Sequence, residues 1–187
     1  MSPLVSVLIP CHNNEAFVGE AIESALGQTY PNIEVIVVDD GSTDKSLNVI
    51  KSYGEQIKWK STPNRGACAA RNTAFGLSQG EFIQFLDADD LIAADKIEKQ
   101  IPYLIQGAAE IVLCYGLIFG DGKPLRKKKR PFLDPNGVDP FVFSCNQGFS
   151  THGPLRKRQN LEKVGGFNES VKRGQENDLH LRLTCSG

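Results

Sequence analysis

Three groups of residues in this 187-residue chain are of types and spacings that do chemistry. Asp87 and Asp89 stand one residue apart in Asp87-Ala88-Asp89-Asp90 and can present carboxylates to one divalent cation. Oxygen donors of this kind suit magnesium or manganese, which draw further ligands from phosphates and water. The competing use of the same residues is to cap a following helix, and Asp90 is better explained as turn or cap. Asp39 and Asp40 can accept hydrogen bonds from a ring N–H or from sugar hydroxyls; an Asx turn, with Gly41 permitting the backbone reversal, is the plainer reading. Gln175-Glu176-Asn177-Asp178-Leu179 brings two further carboxylates, a type ionised at neutral pH and able to accept a proton. Their plainer use is as acidic residues in the first turn of a helix.

The elements that must position these groups alternate. Leu4 to Ile9 reads as a buried strand that stops at Pro10. A helical spacing of apolar residues follows from Asn14 to Gly27, with Asn14 as cap and Gly27 as stop. Ile33 to Val38 is a second strand, and Asp39 to Asp44 a polar turn into a helix over Lys45 to Tyr53. Ile57 to Thr62 is a third strand. Asn64-Arg65-Gly66 opens a helix with Ala67, Ala70, Ala74 and Leu77 on one face, closed by Ser78-Gln-Gly80. Glu81 to Leu86 is a fourth strand, delivering Asp87. Alternating strands and helices predict a mostly parallel sheet covered on both faces, with ligands bound beyond the carboxyl ends of its strands.

The second half is less regular. It reads as a strand over Ile111 to Phe119 and a turn at Gly120-Asp-Gly122 into the basic run Arg126 to Arg130. A proline-rich loop follows from Pro131 to Pro140, then a short strand from Ser150 to Arg156. Helices follow over Arg158 to Val164 and Gln175 to Cys185, separated by Gly165-Gly166.

Composition narrows the class. The length suits one domain with one sizeable core. A hydrophobic share of 40% and a charged share of 23% argue against disorder. A net charge of -1 provides no field for nucleic acid. The 5 cysteines, at positions 11, 68, 114, 145 and 185, show no CxxC spacing, which argues against a zinc or redox site and for reduced packing residues in a cytosolic chain. No leader is visible and no stretch approaches the roughly 20 apolar residues that span a bilayer, so the chain is expected to be soluble and cytoplasmic, at most at the inner face of a membrane.

Taken in order, Val5-Ser-Val-Leu-Ile-Pro10 with Asn13, Val37-Val-Asp-Asp-Gly-Ser-Thr-Asp44, Asn64-Arg-Gly66 with Ala70-Arg-Asn72, Asp87-Ala-Asp-Asp90, Gly165-Gly-Phe167 and Gln175-Glu-Asn-Asp-Leu179 resemble the family 2 glycosyltransferases. The resemblance covers nearly the whole chain. It implies a GT-A-type, Rossmann-like three-layer α/β/α fold with a mostly parallel mixed sheet. It also implies one catalytic domain over 1–187, with a nucleotide-binding half (1–90) and an acceptor-side half (91–187).

The function it implies is inverting, metal-dependent transfer of a sugar from a nucleotide donor, most readily a UDP-sugar, to a hydroxyl on a glycan or lipid-linked acceptor. Asp89, helped by Asp87, would hold manganese or magnesium on the donor diphosphate. Pro10, His12, Asn13 and Glu15 would line the nucleotide site at the first strand end; His12 stands where the family usually has Tyr. One of Asp39 and Asp40 would meet the nucleoside, the choice being open. Arg65 and Arg71 would neighbour the diphosphate, with Asp87 and Ala88 beside the donor, although pairing of Arg71 with Asp87 or Asp89 competes. Aligned on Asp178-Leu179, Glu176 takes the place of the usual aspartate base, with Asp178 as its catalytic companion. His152 and His180 are not selected as metal ligands by spacing. The Arg126–Arg130 run could approach an anionic membrane or a lipid diphosphate, a solvated loop being the commoner use. Two other classes fit less well. A nucleotidyltransferase would normally carry a Gly-rich loop where Cys11-His-Asn-Asn14 stands; a nucleotide-sugar binding domain that kept the fold and lost turnover gains some weight from Glu176 standing where the family has aspartate.

Overall fold

The computed structural model describes residues 2–107, 109–114, 117–120, 123–127 and 151–186. Its strands are β1 (Val5–Cys11), β2 (Ile33–Asp40), β3 (Lys58–Thr62), β4 (Phe82–Phe85), β5 (Ile111–Val112), β6 (Leu117–Gly120), β7 (Lys123–Lys127) and β8 (Leu155–Lys157). Its helices are α1 (Val18–Leu26), α2 (Ser46–Ser52), α3 (Ala67–Leu77), α4 (Lys96–Ile105), α5 (Arg158–Lys163) and α6 (Gln175–Cys185).

Six strands form one sheet in the order β3-β2-β1-β4-β8-β5. β1 pairs parallel with β2 and β4, and β2 with β3; β8 runs antiparallel between β4 and β5. Alternation along the strands separates two apolar layers, as a period of two requires. Val5, Val7, Ile9, Val35 and Val37 pack beneath α1, α2 and α4, with Ile22, Ile50, Ile97 and Ile101. Leu8, Ile36 and Val38 pack on the other face with Ala70, Ala74, Leu161, Leu179 and Leu183 of α3, α5 and α6. The expected three-layer mixed sheet is therefore present, and β8 from the second half of the chain lies inside the sheet of the first.

Several boundaries differ from expectation. β1 runs through Pro10 to Cys11 and β2 through Asp39 and Asp40, where a stop and a turn were expected. Pro10 shares the parity of Leu8, whose carbonyl accepts from Leu86 at the end of the β4 pairing. Its missing N–H therefore faces the side where β4 has already diverged, and the β2 ladder is intact. α1 begins at Val18 rather than Asn14, because residues 14–17 form a turn joined to the loop after β2. The strand expected over 111–119 is divided between β5 and β6, and the one expected over 150–156 is confined to 155–157. α4 escaped the sequence reading, yet Ile97, Ile101 and Leu104 at helical spacing were its signal. Residues 121–122 and 128–150, which include most of the basic run, the proline-rich loop and Cys145, lie outside the described residues. Among the described residues no helix is long and apolar enough to cross a membrane.

Candidate donor and base site

The strand ends converge on a cleft of about 300 Å³ lined by Pro10, Cys11, His12, Asn14, Asp40, Asn64, Gly66, Ala67, Ala70, Arg71, Asp87, Ala88 and Asp89. β1 supplies its floor, β2 delivers Asp40, and β4 releases Asp87 to Asp89. The start of α3 forms the opposite wall. Gly66, at φ +94, is its cap, and Ala67 and Ala70 leave room for a ligand near the helix N-terminus, where anions are favoured.

Asp39 and Asp40 separate by strand parity. Asp39 is buried, and its carboxylate accepts from Ser61 Oγ at 2.7 Å and the Ser42 N–H at 3.2 Å. Asp40 lines the cleft, and its two oxygens accept from the N–H groups of Arg65 and Gly66 at 2.9 and 2.8 Å. Asp39 thus holds the turn, and Asp40 both orders the entry to α3 and faces the cleft.

His12 donates from Nδ1 to the Asp40 carbonyl at 2.9 Å, which leaves Nε2 to accept from the side-chain amides of Asn13 and Asn64, each at 3.2 Å. Asn13 and Glu15 do not line the cleft. Asn13, at φ +51, receives the Thr43 N–H at 2.8 Å and donates its own N–H to Ser42 Oγ at 3.0 Å. Glu15 accepts from the Lys45 N–H at 2.7 Å ahead of α2. Both join the loops after β1 and β2, a role that Asn and Glu can fill only once the parallel pairing has brought these loops together. Arg65 also turns outward and pairs with Glu169 at 2.8 Å, with 58% of its side chain exposed.

Arg71 lies at the centre of the site. Its guanidinium is nearly buried; Nη2 meets Asp87 Oδ1 at 2.7 Å and Glu176 Oε1 at 3.3 Å, and Nη1 donates to Gln175 Oε1 at 2.7 Å. Phe167, from the Gly165-Gly166-Phe167 turn, covers the guanidinium at 5.1 Å and meets Phe85 edge-on. The competing reading of Arg71 as an ion-pair partner of Asp87 therefore describes its geometry, although Arg71 also lines the cleft. Asp89 is exposed and lines the cleft, and has no hydrogen bond or ion pair among the described residues. Asp90 pairs with His152 Nδ1 at 2.6 Å.

Glu176 and Asp178 diverge, since two residues on a helix are about 200° apart. Glu176 points to Arg71 and accepts from Thr151 Oγ1 at 2.9 Å. Asp178 accepts from Arg182 Nε at 2.9 Å, and the same guanidinium binds the Val164 and Gly166 carbonyls. Asp178 is thus placed away from Glu176, clamping the Gly165-Gly166 turn. Behind the site, buried Arg156 donates from Nη2 to His180 Nε2 at 2.9 Å. The acceptor must be a neutral imidazole, and burial followed by the Arg156 charge pushes the His180 pKa down to about 2. Sequence reasoning missed Thr151 and Arg156, neither of which carries a spacing signal, and read Asn64 only as part of the Asn64-Arg65-Gly66 opening of a helix.

The donor set fits a divalent cation held jointly with a ligand. Asp89 and Oδ2 of Asp87 have no protein partner among the described residues, and no group of three or more His, Cys, Asp or Glu there could hold a metal alone. A cation would therefore take the rest of its shell from a diphosphate and water.

The family described as Glycosyl transferase family 2 matches residues 6–171. The chain belongs to that family. It is 37% identical over 191 residues to an uncharacterized glycosyltransferase of Rickettsia typhi, an alignment covering 97% of this chain and 59% of that protein. Among solved structures it resembles S. aureus TarS 1-349 in complex with UDP, at TM-score 0.77 and 23% identity, over 98% of this chain and 55% of that one. It also resembles the mannosyltransferase PcManGT of Pyrobaculum calidifontis in complex with GDP-Man and Mn2+, at TM-score 0.70 and 26% identity, over 96% of this chain and 51% of that one. The chain spans 46%, 59% and 31% of the length of three curated relatives.

Proposed function

We propose that this chain is the catalytic region of an inverting glycosyltransferase that takes its sugar from a nucleoside diphosphate, most readily a UDP-sugar. The carrying observation is that one nitrogen, Arg71 Nη2, touches both Asp87 and Glu176. One member of the acidic pair suited to a metal, Asp87, and the carboxylate suited to a base, Glu176, thus meet on one guanidinium that lines the cleft. Family membership and the fold shared with a UDP complex and with a GDP-Man and Mn2+ complex support the same reading.

In this reading the nucleoside lies between His12, Asn64 and Asp40, and the diphosphate lies against Gly66, Ala67 and Ala70. Asp89 and Asp87 hold manganese or magnesium, which when bound neutralises charge on the departing diphosphate. Glu176 takes the proton of an acceptor hydroxyl as its oxygen bonds to the anomeric carbon. The bond from that carbon to the diphosphate oxygen breaks on the opposite side, which inverts the centre. The acceptor is a glycan or a lipid-linked sugar, reached at the cytoplasmic face of a membrane. Residues 1–90 would form the donor half and 91–187 the acceptor side.

The test is thermal unfolding with UDP, GDP, dTDP and CDP, each with and without manganese. Ligand at a hundred times its dissociation constant adds about 2.7 kcal/mol, enough to raise the midpoint by several degrees. A manganese-dependent rise with one nucleotide is expected. A rise with none of them, in this chain and in a longer one, rejects the donor site.

A further inference from the structure

A glutamate acting as base must be held still. Its side chain has three rotatable bonds, and fixing them costs up to about 2 kcal/mol of conformational entropy. In α6 both contacts to Glu176 fall on the same oxygen. Thr151 Oγ1 donates to Oε1 at 2.9 Å, and Arg71 Nη2 lies 3.3 Å from that atom. Oε2 has no hydrogen bond among the described residues. It is not among the buried unpartnered atoms, which are the Nε atoms of Arg71 and Arg156. One carboxylate oxygen is therefore anchored and the other left open.

Thr151 is itself buried, and the two residues after it are held by side-chain amides. The next carbonyl, of His152, accepts from Gln84 Nε2 at 2.8 Å; that of Gly153 accepts from Gln100 Nε2 at 3.3 Å. Gln84 and Gln100 both accept from the ammonium of buried Lys96, the latter at 2.6 Å. A buried lysine needs such oxygens, because an ammonium stripped of water is costly unless hydrogen-bonded. The cluster ties α4 and β4 to His152 and Gly153, the residues between Thr151 and β8.

We propose that Thr151 is a positioning residue for Glu176: its hydroxyl, next in the chain to the carbonyls that the Lys96–Gln84–Gln100 cluster ties down, fixes Oε1 and leaves Oε2 to receive the acceptor proton. This rests on Glu176 being the base. The test compares Thr151→Val, which keeps shape and loses the hydroxyl, with Thr151→Ser, which restores it, and with Glu176→Gln. Turnover is read as nucleotide released from UDP-N-acetylglucosamine or GDP-mannose with manganese, whichever base the unfolding shifts select. A lost hydrogen bond to a charged group predicts a kcat for Thr151→Val roughly 10- to 100-fold lower, with the donor KM unchanged. Thr151→Ser should recover most of it, and Thr151→Val should cost nothing further in the Glu176→Gln background. Wild-type turnover of Thr151→Val beside an inactive Glu176→Gln overturns the positioning role alone. Wild-type turnover of Glu176→Gln overturns the base itself. A crystal structure of Thr151→Val decides without turnover: a Glu176 side chain spread over several rotamers supports the role, and one unmoved against Arg71 refutes it.

Discussion

The Arg71 guanidinium stands 2.7 Å from Asp87 Oδ1, on a side chain that is only 6% exposed. The pair joins the first turns of α3 to the end of β4, and its energetics follow from burial. Without the guanidinium, Asp87 and Glu176 would be neighbouring carboxylates with no cation between them. Arg71→Met should therefore lower the unfolding free energy by about 1–3 kcal/mol, less than the loss of a fully buried pair because the Asp87 side chain is 30% exposed. Arg71→Lys should fall between, since an ammonium keeps the charge and loses the planar fork. Urea unfolding of the three proteins checks the order; a fully stable Arg71→Met would mean that the pair contributes only to ligand binding.

Asp89 and Asp90 are adjacent and differently employed. Asp90 is engaged by His152, whereas Asp89 faces the cleft without a protein partner among the described residues. Asp89→Asn should abolish the manganese-dependent part of the nucleotide-induced rise in unfolding temperature. Asp90→Asn should keep it. Equal loss in both would assign the metal to the loop as a whole.

The Arg156–His180 pair predicts a pH dependence. In the unfolded chain His180 titrates near its ordinary value of 6.5, and in the folded chain near 2. Between these values the unfolded state binds a proton that the folded state refuses. The contribution is thus complete above pH 6.5 and is lost as pH falls towards 2, by up to about 1.4 kcal/mol per pH unit. Carboxylates can tilt the same curve, so the readout is a difference. Urea unfolding from pH 7 to 5 should be less steep in pH for His180→Gln, whose amide oxygen can still accept from Arg156. Parallel curves would show that His180 does not titrate against folding.

Two glycines test the packing with opposite signs. Gly76 lies inside α3, and a Cβ there would meet nothing within 4 Å. Gly76→Ala should stabilise by about 0.5–1 kcal/mol, through helix propensity and a stiffer unfolded chain. At Gly80 a Cβ would lie 2.6 Å from the Ser6 backbone nitrogen and 2.9 Å from the Leu4 carbonyl. Gly80→Ala should cost about 1–3 kcal/mol, because β1 cannot move aside. Thermal midpoints moving in opposite directions are the expected result.

The α/β alternation, the strands entering the cleft and the Asp87-Ala88-Asp89 pair were legible because each is encoded over a few neighbouring residues. Strand and helix periods, and small residues at the head of α3, require no knowledge of distant chain. The ordered motifs identified the family for the same reason. Which carboxylate serves what was not legible. Asp39 and Asp40 are neighbours in the chain and belong to opposite faces of β2, so only strand parity within the assembled sheet separates the turn from the cleft. Asn13 and Glu15 read as ligand contacts, and in the structure they tie two loops together, because the partners they bind come from the next βα unit. Arg71 and Gln175 stand 104 residues apart, and Thr151 and Glu176 are 25 apart with two elements between them. Such contacts leave no periodic trace. They exist because β8 inserts beside β4 and α6 packs against α3, and burial there requires each charge to find a partner across the fold.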